Sequence, residues 1–317
     1  MRSKKFSSGC FAVLSGVTLG TYWIAKSQSF PARFIRERFA ELGQKIASPH
    51  HKPTPGTWND NALTATWLGH ATVLVNFYGV KILTDPVLMS RVGADLRIGT
   101  VGPKRAIAPA LTVEELPPID LVLLSHAHLD HFDLPTLRNF RENTKVVTAR
   151  KTADLLSRTK LKNPHELGWG EKTTVKTQNG DVEIEGIEVN HWGARWQHDA
   201  QRGYNGYVIS REGKRIIFGG DTAMSDSFRN QRGKGPFELA IMPIGAYNPW
   251  IRAHCTPEEA IKMSNDAGAR HILPIHHQAF ALGREPFKEP IERFQEALSA
   301  EPERVALRDV GETFVLN

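Results

Sequence analysis

Short apolar runs rich in β-branched side chains recur along most of this chain, and they read as strands. The first set covers residues 63–67, 73–77 and 80–84, with a turn at Tyr78-Gly79. Residues 145–148 predict a further strand between helices at 134–140 and 151–159. Asn179-Gly180 predicts a hairpin joining Val175 to the alternating Val182 and Ile184, and Glu212-Gly213 joins 207–209 to 216–218 in a second one. Thr256-Pro257-Glu258-Glu259 combines a capping acceptor, a proline at the first helical position and an acid three residues after the cap, so a helix runs to about Ala267. Phe34, Ile35, Phe39, Leu42 and Ile46 recur at helical spacing and predict an amphipathic helix over 30–46, lying either on a membrane interface or on the body. Ser48-Pro49 and Pro53-Thr54-Pro55-Gly56 read as a linker, and 99–118 as a long irregular stretch. The chain thus divides into an apolar segment at 1–29, a helix with a Pro-rich linker at 30–59, and one α/β body at 60–317.

Four of the apolar runs end on a side chain that can bind a transition metal. Leu121-Val122-Leu123-Leu124 leads through Ser125 into His126-Ala127-His128-Leu129-Asp130-His131; 187–189 leads to His191, 216–218 to Asp221 and 272–275 to His276. Groups placed just after strand ends converge on one edge of the sheets, where loops on a rigid scaffold carry chemistry. The pattern predicts a metal site of five imidazoles and two carboxylates. Three imidazoles and a carboxylate within six residues are packed too tightly for one tetrahedral ion to use them all. Two ions about 3.5–4 Å apart, sharing a bridging carboxylate, would use them all. The bland alternative is a set of histidines satisfied by core hydrogen bonds.

Length and composition leave room for such a body. The 317 residues are 40% hydrophobic and 23% charged, which is ordinary for a globular chain with a sizeable core. The net charge of +6 is unevenly placed. Residues 1–45 carry Arg2, Lys4, Lys5, Lys26, Arg33, Arg36, Arg38 and Lys45 against Glu37 and Glu41, so 8 − 2 = +6 and the remainder is neutral. A neutral body lacks the basic footprint of a nucleic-acid track. Basic charge beside an apolar segment suits an anionic membrane surface instead. That segment, residues 6–25, has about the 20 residues a bilayer core requires, follows Arg2, Lys4 and Lys5, and lacks an Ala-x-Ala-like cleavage site. A retained anchor is the favoured reading, against a cleaved signal or a surface-lying segment. It would leave the body on the outer, periplasmic or extracytoplasmic side. Cys10 and Cys255 supply neither a disulfide framework nor a cysteine zinc site. Whether two copies pair as a homodimer stays open.

The His126-x-His128-x-Asp130-His131 run, followed in order by His191, Asp221 and His276, resembles the signature of the metallo-β-lactamase superfamily. Further stretches resemble one branch, the N-acyl phosphatidylethanolamine-hydrolysing phospholipase D enzymes and their bacterial relatives. They are Trp67-Leu68-Gly69-His70-Ala71-Thr72, Thr84-Asp85-Pro86, Gly102-Pro103-Lys104-Arg105, Leu116-Pro117-Pro118-Ile119-Asp120, His191-Trp192, Gly220-Asp221-Thr222, Pro243-Ile244-Gly245-Ala246-Tyr247, Pro257-Glu258-Glu259-Ala260 and Ile275-His276. The resemblance implies a four-layer αββα sandwich and hydrolysis of an N-acyl phosphatidylethanolamine-type phospholipid to phosphatidic acid and an N-acylethanolamine, by a hydroxide bridging two metals. It puts His126, His128 and His191 on a first ion, Asp130, His131 and His276 on a second, and Asp221 between them; His277 competes with His276, which the strand-end position favours. Two zinc ions per chain suit these ligands, with iron or manganese admissible in one position.

Around this centre the resemblance and the residue types suggest further roles. Asp130 and His254 are candidates for proton transfer, His254 against the alternative of an exposed loop histidine. Arg195 would face the phosphate, unless it makes an ordinary surface ion pair. His70 and Asp85 would orient ligands from behind, or simply anchor loops. Trp192, Trp196, Tyr247 and Trp250 would line an acyl groove or meet headgroups, where they are not core. Leu129 replaces an aromatic residue of the animal enzymes, and the 248–254 stretch is shorter than theirs. Both differences bear on acyl specificity rather than on the metal chemistry. The competing readings are a lactonase or a hydrolase of a soluble phosphodiester on the same site, a β-lactam hydrolase, and a non-catalytic membrane-tethered metal-binding protein.

Overall fold

The computed structural model describes residues 29–317, so the membrane segment expected over 1–29 falls, apart from Ser29, outside the described residues. Among the described residues no helix is long and apolar enough to cross a membrane.

Helix α1 (Phe30–Ala40) opens the described chain and is shorter than the spacing predicts. Tertiary contacts stop it: the Glu41 carboxylate accepts from Arg91 Nη1 (2.8 Å) and the Lys104 backbone N–H (3.1 Å), and Gly43 takes φ +82° two residues on. The stretch read as a linker packs on the body instead, with Ala47 donating to the Ala106 carbonyl and Ala108 donating back to Ala47. Strands β1 (Leu63–Gly69), β2 (Thr72–Phe77) and β3 (Val80–Thr84) then form an antiparallel meander. Tyr78 and Gly79 both adopt positive φ, the conformation a two-residue hairpin turn demands. A small ribbon, β4 (Ala94–Asp95) and β5 (Thr100–Val101), interrupts the stretch expected to be irregular. Next come β6 (Leu121–Leu124), the single-turn α2 (Leu134–Leu137), β7 (Lys145–Ala149) and β8 (His165–Leu167).

The second half repeats the logic. β9 (Lys172–Thr177), β10 (Gly180–Ile187), β11 (Gly206–Arg211) and β12 (Lys214–Phe218) run antiparallel through the two predicted hairpins. β13 (Phe237–Pro243), the short α3 (Tyr247–Trp250), α4 (Pro257–Ala267) and β14 (Ala269–Ile275) follow, then α5 (Glu289–Ala297) and β15 (Thr313–Leu316). Helix α4 starts where its sequence says it should, with Thr256 and Glu259 completing a reciprocal capping box.

One sheet has the order β15-β1-β2-β3-β6-β7-β8 and the other β14-β13-β12-β11-β10-β9. Period-two burial makes them a sandwich. Tyr207, Ile209, Ile216, Phe218, Leu239 and Ile241 join the first sheet's Leu74, Ile82, Leu121 and Val147 in one core, while the alternate Val208, Ile217, Ala240 and Met242 pack against Met263 and Phe294 of the outer helices. Leu137 of α2 and Leu156 of a neighbouring 3₁₀ turn join the first sheet's side. This is the expected αββα layering.

Strand direction positions the site. β3, β6 and β7 are mutually parallel, and β1 shares their direction because β2 runs against both β1 and β3. In the second sheet β12, β13 and β14 are parallel, and β10 joins them through antiparallel β11. The C-terminal ends within each sheet therefore lie at one edge, and the side chains that follow β1, β3, β6, β10, β12 and β14 meet there.

Candidate metal centre

Asp221 is the hub of that meeting. Its Oδ2 lies 3.0 Å from His131 Nε2, 3.3 Å from His276 Nε2, 3.8 Å from His191 Nε2 and His254 Nδ1, and 3.9 Å from His126 Nε2. Asp130 Oδ2 lies 3.0 Å from His70 Nε2, 3.5 Å from His276 Nε2 and 3.7 Å from His131 Nε2. Two quartets have ligand atoms close enough to share an ion: His126, His128, His191 and Asp221 in one, and His70, Asp130, His131 and His276 in the other. These contain all seven predicted ligands and divide the histidines as expected, with His70 added. His277, the competitor of His276, stacks on Trp67 at 4.4 Å and belongs to neither quartet.

The surroundings fix which nitrogen each ring offers. Asp85, buried behind the loop, accepts from the Ser125 backbone N–H (2.7 Å), from Ser125 Oγ (2.5 Å) and from His131 Nδ1 (2.6 Å). Ser125 Oγ in turn accepts from His126 Nδ1 at 2.8 Å. The Ala253 carbonyl accepts from His191 Nδ1 at 2.8 Å. Each of these rings is therefore a donor at Nδ1 and turns the lone pair of Nε2 inward, as metal ligands do. His128 differs, presenting Nδ1 at 3.2 Å from His191 Nε2.

These atoms fit a cation. His126 Nε2, His131 Nε2, His276 Nε2 and Asp221 Oδ1 are buried without a hydrogen-bond partner. A buried polar atom left unpaired costs about 1–3 kcal/mol, so a cluster of them calls for a partner that accepts lone pairs. The electrostatics agree. Burial works against charge on Asp221 and Asp130, but His131 and the other rings outweigh it and hold both carboxyls well below the usual range. Burial also opposes charge on His131 and His276, yet the same carboxylates raise His131 well above its ordinary value and His276 to about 9. Burial keeps His126 and His191 neutral and pushes His128 down to about 4. Two anionic carboxylates thus attract protons onto two rings wherever no other positive charge is supplied.

A cavity of about 220 Å³ opens on the centre, lined by His128, Asp130, Asp221, His254 and His276 together with Trp192, Ala246, Trp250 and Leu282. Trp192 packs edge-on to His128 and tilts over His191, at 4.7 and 4.5 Å. His254 is a buried lining residue, not an exposed loop histidine. His70 and Asp85 stand at the centre as expected. Arg195 does not: it is buried, and its Nη1 donates to the Ala127 (3.1 Å) and Phe132 (2.9 Å) carbonyls, bracing the His126–His131 loop from behind. It lines a separate depression with Trp196 and Asp199. Tyr247 also turns away, donating its hydroxyl to Glu289 at 2.6 Å under the Arg293 guanidinium. Sequence reasoning missed Ser125, Leu282 and Ala246, which carry no metal-binding signal. It also left Arg105 without a role. That buried guanidinium donates to the Met89 and Val87 carbonyls and lies 4.6 Å over the Phe280 ring, which meets His70 edge-on at 5.3 Å.

Comparison with known proteins bears on the family and the fold. Residues 81–277 match the family described as the beta-lactamase superfamily domain. The chain is 32% identical over 270 residues, 80% of its length and 74% of the relative's, to the N-acyl-phosphatidylethanolamine-hydrolyzing phospholipase D 1 of Caenorhabditis elegans. It is 30% identical over 266 residues, 79% of its length and 56% of the relative's, to the mitochondrial N-acyl-phosphatidylethanolamine-hydrolyzing phospholipase D of Saccharomyces cerevisiae. Among solved structures, an isothiocyanate hydrolase from Delia radicum gut bacteria superposes with TM-score 0.63 at 20% identity, over 80% of this chain and 99% of that one.

Proposed function

The chain belongs to the metallo-β-lactamase superfamily of metal-dependent hydrolases, and from that premise we propose that it cleaves the phosphodiester of N-acyl phosphatidylethanolamine-type phospholipids, releasing phosphatidic acid and an N-acylethanolamine. The observation that carries this reading is the mixed lining of the cavity. It combines the Asp221 hub and its unpartnered imidazoles, suited with metal bound to a phosphate, with Trp192, Trp250 and Leu282, suited to hydrocarbon. The relatives named above, whose printed names carry this activity, support the choice of lipid.

His126, His128 and His191 would hold one ion, Asp130, His131 and His276 the other, and Asp221 would bridge them, with zinc favoured by the mixed imidazole and carboxylate set. When bound, such a pair supplies Lewis acidity and brings the pKa of water from 15.7 to about 7. The remaining work falls to side chains. Ser125, Asp85 and the Ala253 carbonyl hold the imidazoles in register, so ligands need no reorganisation as charge develops. His70 fixes Asp130 in the same way. Burial pushes His254 down to about 4, so it meets the substrate as a neutral imidazole. In that form it can donate a hydrogen bond to the leaving oxygen, and does not store a proton as an imidazolium would. Trp192 and Trp250 exclude water from the lipid side.

The reading also places the chain at an anionic membrane surface, reached through the basic apolar segment that precedes α1, with the body on the outer side. The test is a product profile. Metal-replete chain given N-acyl phosphatidylethanolamine in micelles yields phosphatidic acid and N-acylethanolamine by mass spectrometry, and Asp221→Asn yields neither. Diacylglycerol as product would overturn the choice of bond, and turnover only of an acyl lactone or a cyclic nucleotide would overturn the substrate.

A further inference from the structure

A ribbon runs out from the body beside this cavity. Ser90 to Arg105 pair back on themselves: Arg105 donates to the Ser90 carbonyl (2.9 Å), Val92 to Pro103 (3.1 Å) and Leu96 to Gly99 (3.0 Å), with an Arg91–Lys104 bridge between and the β4–β5 ladder near the end. Gly93 and Gly102 cross at van der Waals contact, and a Cβ on either would meet the opposite main chain at 2.2 or 2.0 Å. The close crossing makes this a built element with a defined direction. Its tip is Leu96-Arg97-Ile98, with Leu96 57% and Ile98 97% exposed.

The tip does not stand alone. At the base of the ribbon, the Glu41 link joins the end of α1, where Phe39 is 64% and Leu42 69% exposed. The chain immediately before α1 is the basic, apolar segment of residues 1–28. Toward the site, Val92 packs in one cluster with Phe280 and Leu282, the last of which walls the metal cavity beside exposed Trp192 and Trp250. Exposed apolar side chains thus stand at the ribbon tip, at the end of α1 to which the ribbon's base is tied, and at the cavity whose Leu282 packs with that base. Charge points the same way. Arg97 is exposed between the two apolar tip residues, and the Asp95 carboxylate beside it accepts from Arg138 and from the Arg97 backbone N–H rather than from the guanidinium, which can meet a headgroup phosphate.

We propose that the Leu96-Arg97-Ile98 tip of this ribbon inserts into an anionic lipid bilayer and seats the mouth of the metal cavity on the membrane surface. Three tip residues fall well short of the roughly 20–30 that a stable protein interface takes from each side. An interface of headgroups and acyl chains accepts two isolated apolar side chains with a cation between them. The inference deepens the lipid reading by naming the surface at which the site works, and its test uses no substrate.

The test is site-directed spin labelling of the full, metal-loaded chain. Cys10→Ser removes one thiol, and Cys255 is buried. A label at Ile98→Cys or, separately, at Leu96→Cys is compared with one at Asn143→Cys, an exposed residue just before β7 and hence at the opposite edge of the sheet from the metal. On adding vesicles of phosphatidylcholine with phosphatidylglycerol, collisions with a water-soluble nickel chelate fall several-fold at 98 and 96 and collisions with oxygen rise, while 143 does not change. Labels at 96 and 98 that stay open to the chelate on vesicle-bound chain overturn the proposal. So does shielding before lipid is added, which would mean that residues 1–28 or a second copy covers the tip. Lipid products other than those expected would leave this result untouched and would count only against the hydrolytic reading.

Discussion

Asp85→Asn should weaken the metal centre unevenly, and the hydrogen bonds say by how much and where. Burial pushes the Asp85 carboxyl up, while the adjoining His131 and Ser125 pull it back. Its Oδ2 takes the Nδ1 proton of His131 directly at 2.6 Å, and reaches His126 only through Ser125 Oγ. An amide at 85 can set an NH₂ where that oxygen was, donor against donor, and His131 then moves its proton to Nε2. There it would bond Asp221 and be lost as a ligand. Losing such a supporting carboxylate typically lowers metal affinity about 10–100-fold, or about 1.4–2.7 kcal/mol. The His131-containing quartet should take that loss, and the His126-containing quartet a smaller one. Ser125→Ala should do the reverse, removing only the His126 arm and leaving Asp85 bonded to His131. Competition titration against a chromogenic chelator, resolving the two binding steps in each variant, reads this directly. Equal losses at both steps in both variants, or none, would refute the relay.

Other outcomes follow from the same contacts. Arg195→Met should lower the thermal midpoint and metal content, because two main-chain carbonyls of the ligand loop lose their donor at about 1–3 kcal/mol each; a raised KM with unchanged stability would restore a phosphate-gripping role. Gly245→Ala should destabilise the chain by about 1–3 kcal/mol and weaken metal binding, since a Cβ there would meet the His276 carbonyl at 2.2 Å; an unchanged melting curve would contradict this. The chelator-stripped chain should be most stable between acid and alkali. Burial pushes His70 and His277 down to about 3 and His128 and His254 to about 4, so their contribution is present above 6.5 and drains away as pH falls through 4 to 3. His276, opposed by burial but raised to about 9 by Asp221 and Asp130, contributes below 6.5 and loses that as pH rises through 9. A thermal midpoint that climbs steadily from pH 4 to 9 would contradict it.

The convergence of the seven candidate ligands was legible because their residue types are rare together and each run of them follows a strand. His70 and Asp85 were legible for a related reason. β1 and β3 share the direction of β6, and whatever follows them must reach the same edge. Arg195 and Tyr247 were not legible. A charge four residues after His191 can face the substrate or turn inward, and it turns inward because the tight His126–His131 loop exposes carbonyls that need a donor. The ribbon left no periodic signal either, since main-chain pairing and the Gly93–Gly102 crossing hold it rather than an apolar face. The early stop of α1 depends on Arg91 and Lys104, some fifty or sixty residues away, which no local pattern reports.

The contrast between His128 and its neighbours shows how far the sequence spacing reaches into the chemistry. Residues 126 and 128 stand two apart on an extended segment and so point to the same face. Their rings meet edge-on at 4.4 Å, yet they offer different nitrogens to the centre. His126 donates backwards from Nδ1 to Ser125, while His128 brings its own Nδ1 forward to 3.2 Å from His191 Nε2. His191 already gives its Nδ1 proton to Ala253, so its Nε2 carries a lone pair. A lone pair there and an imidazole nitrogen opposite can be reconciled by one shared proton or by one cation. Two neutral rings can share the Nδ1 proton of His128, but that would leave Asp221 Oδ1 and His126 Nε2 unpartnered, whereas a cation held by this quartet would satisfy them as well.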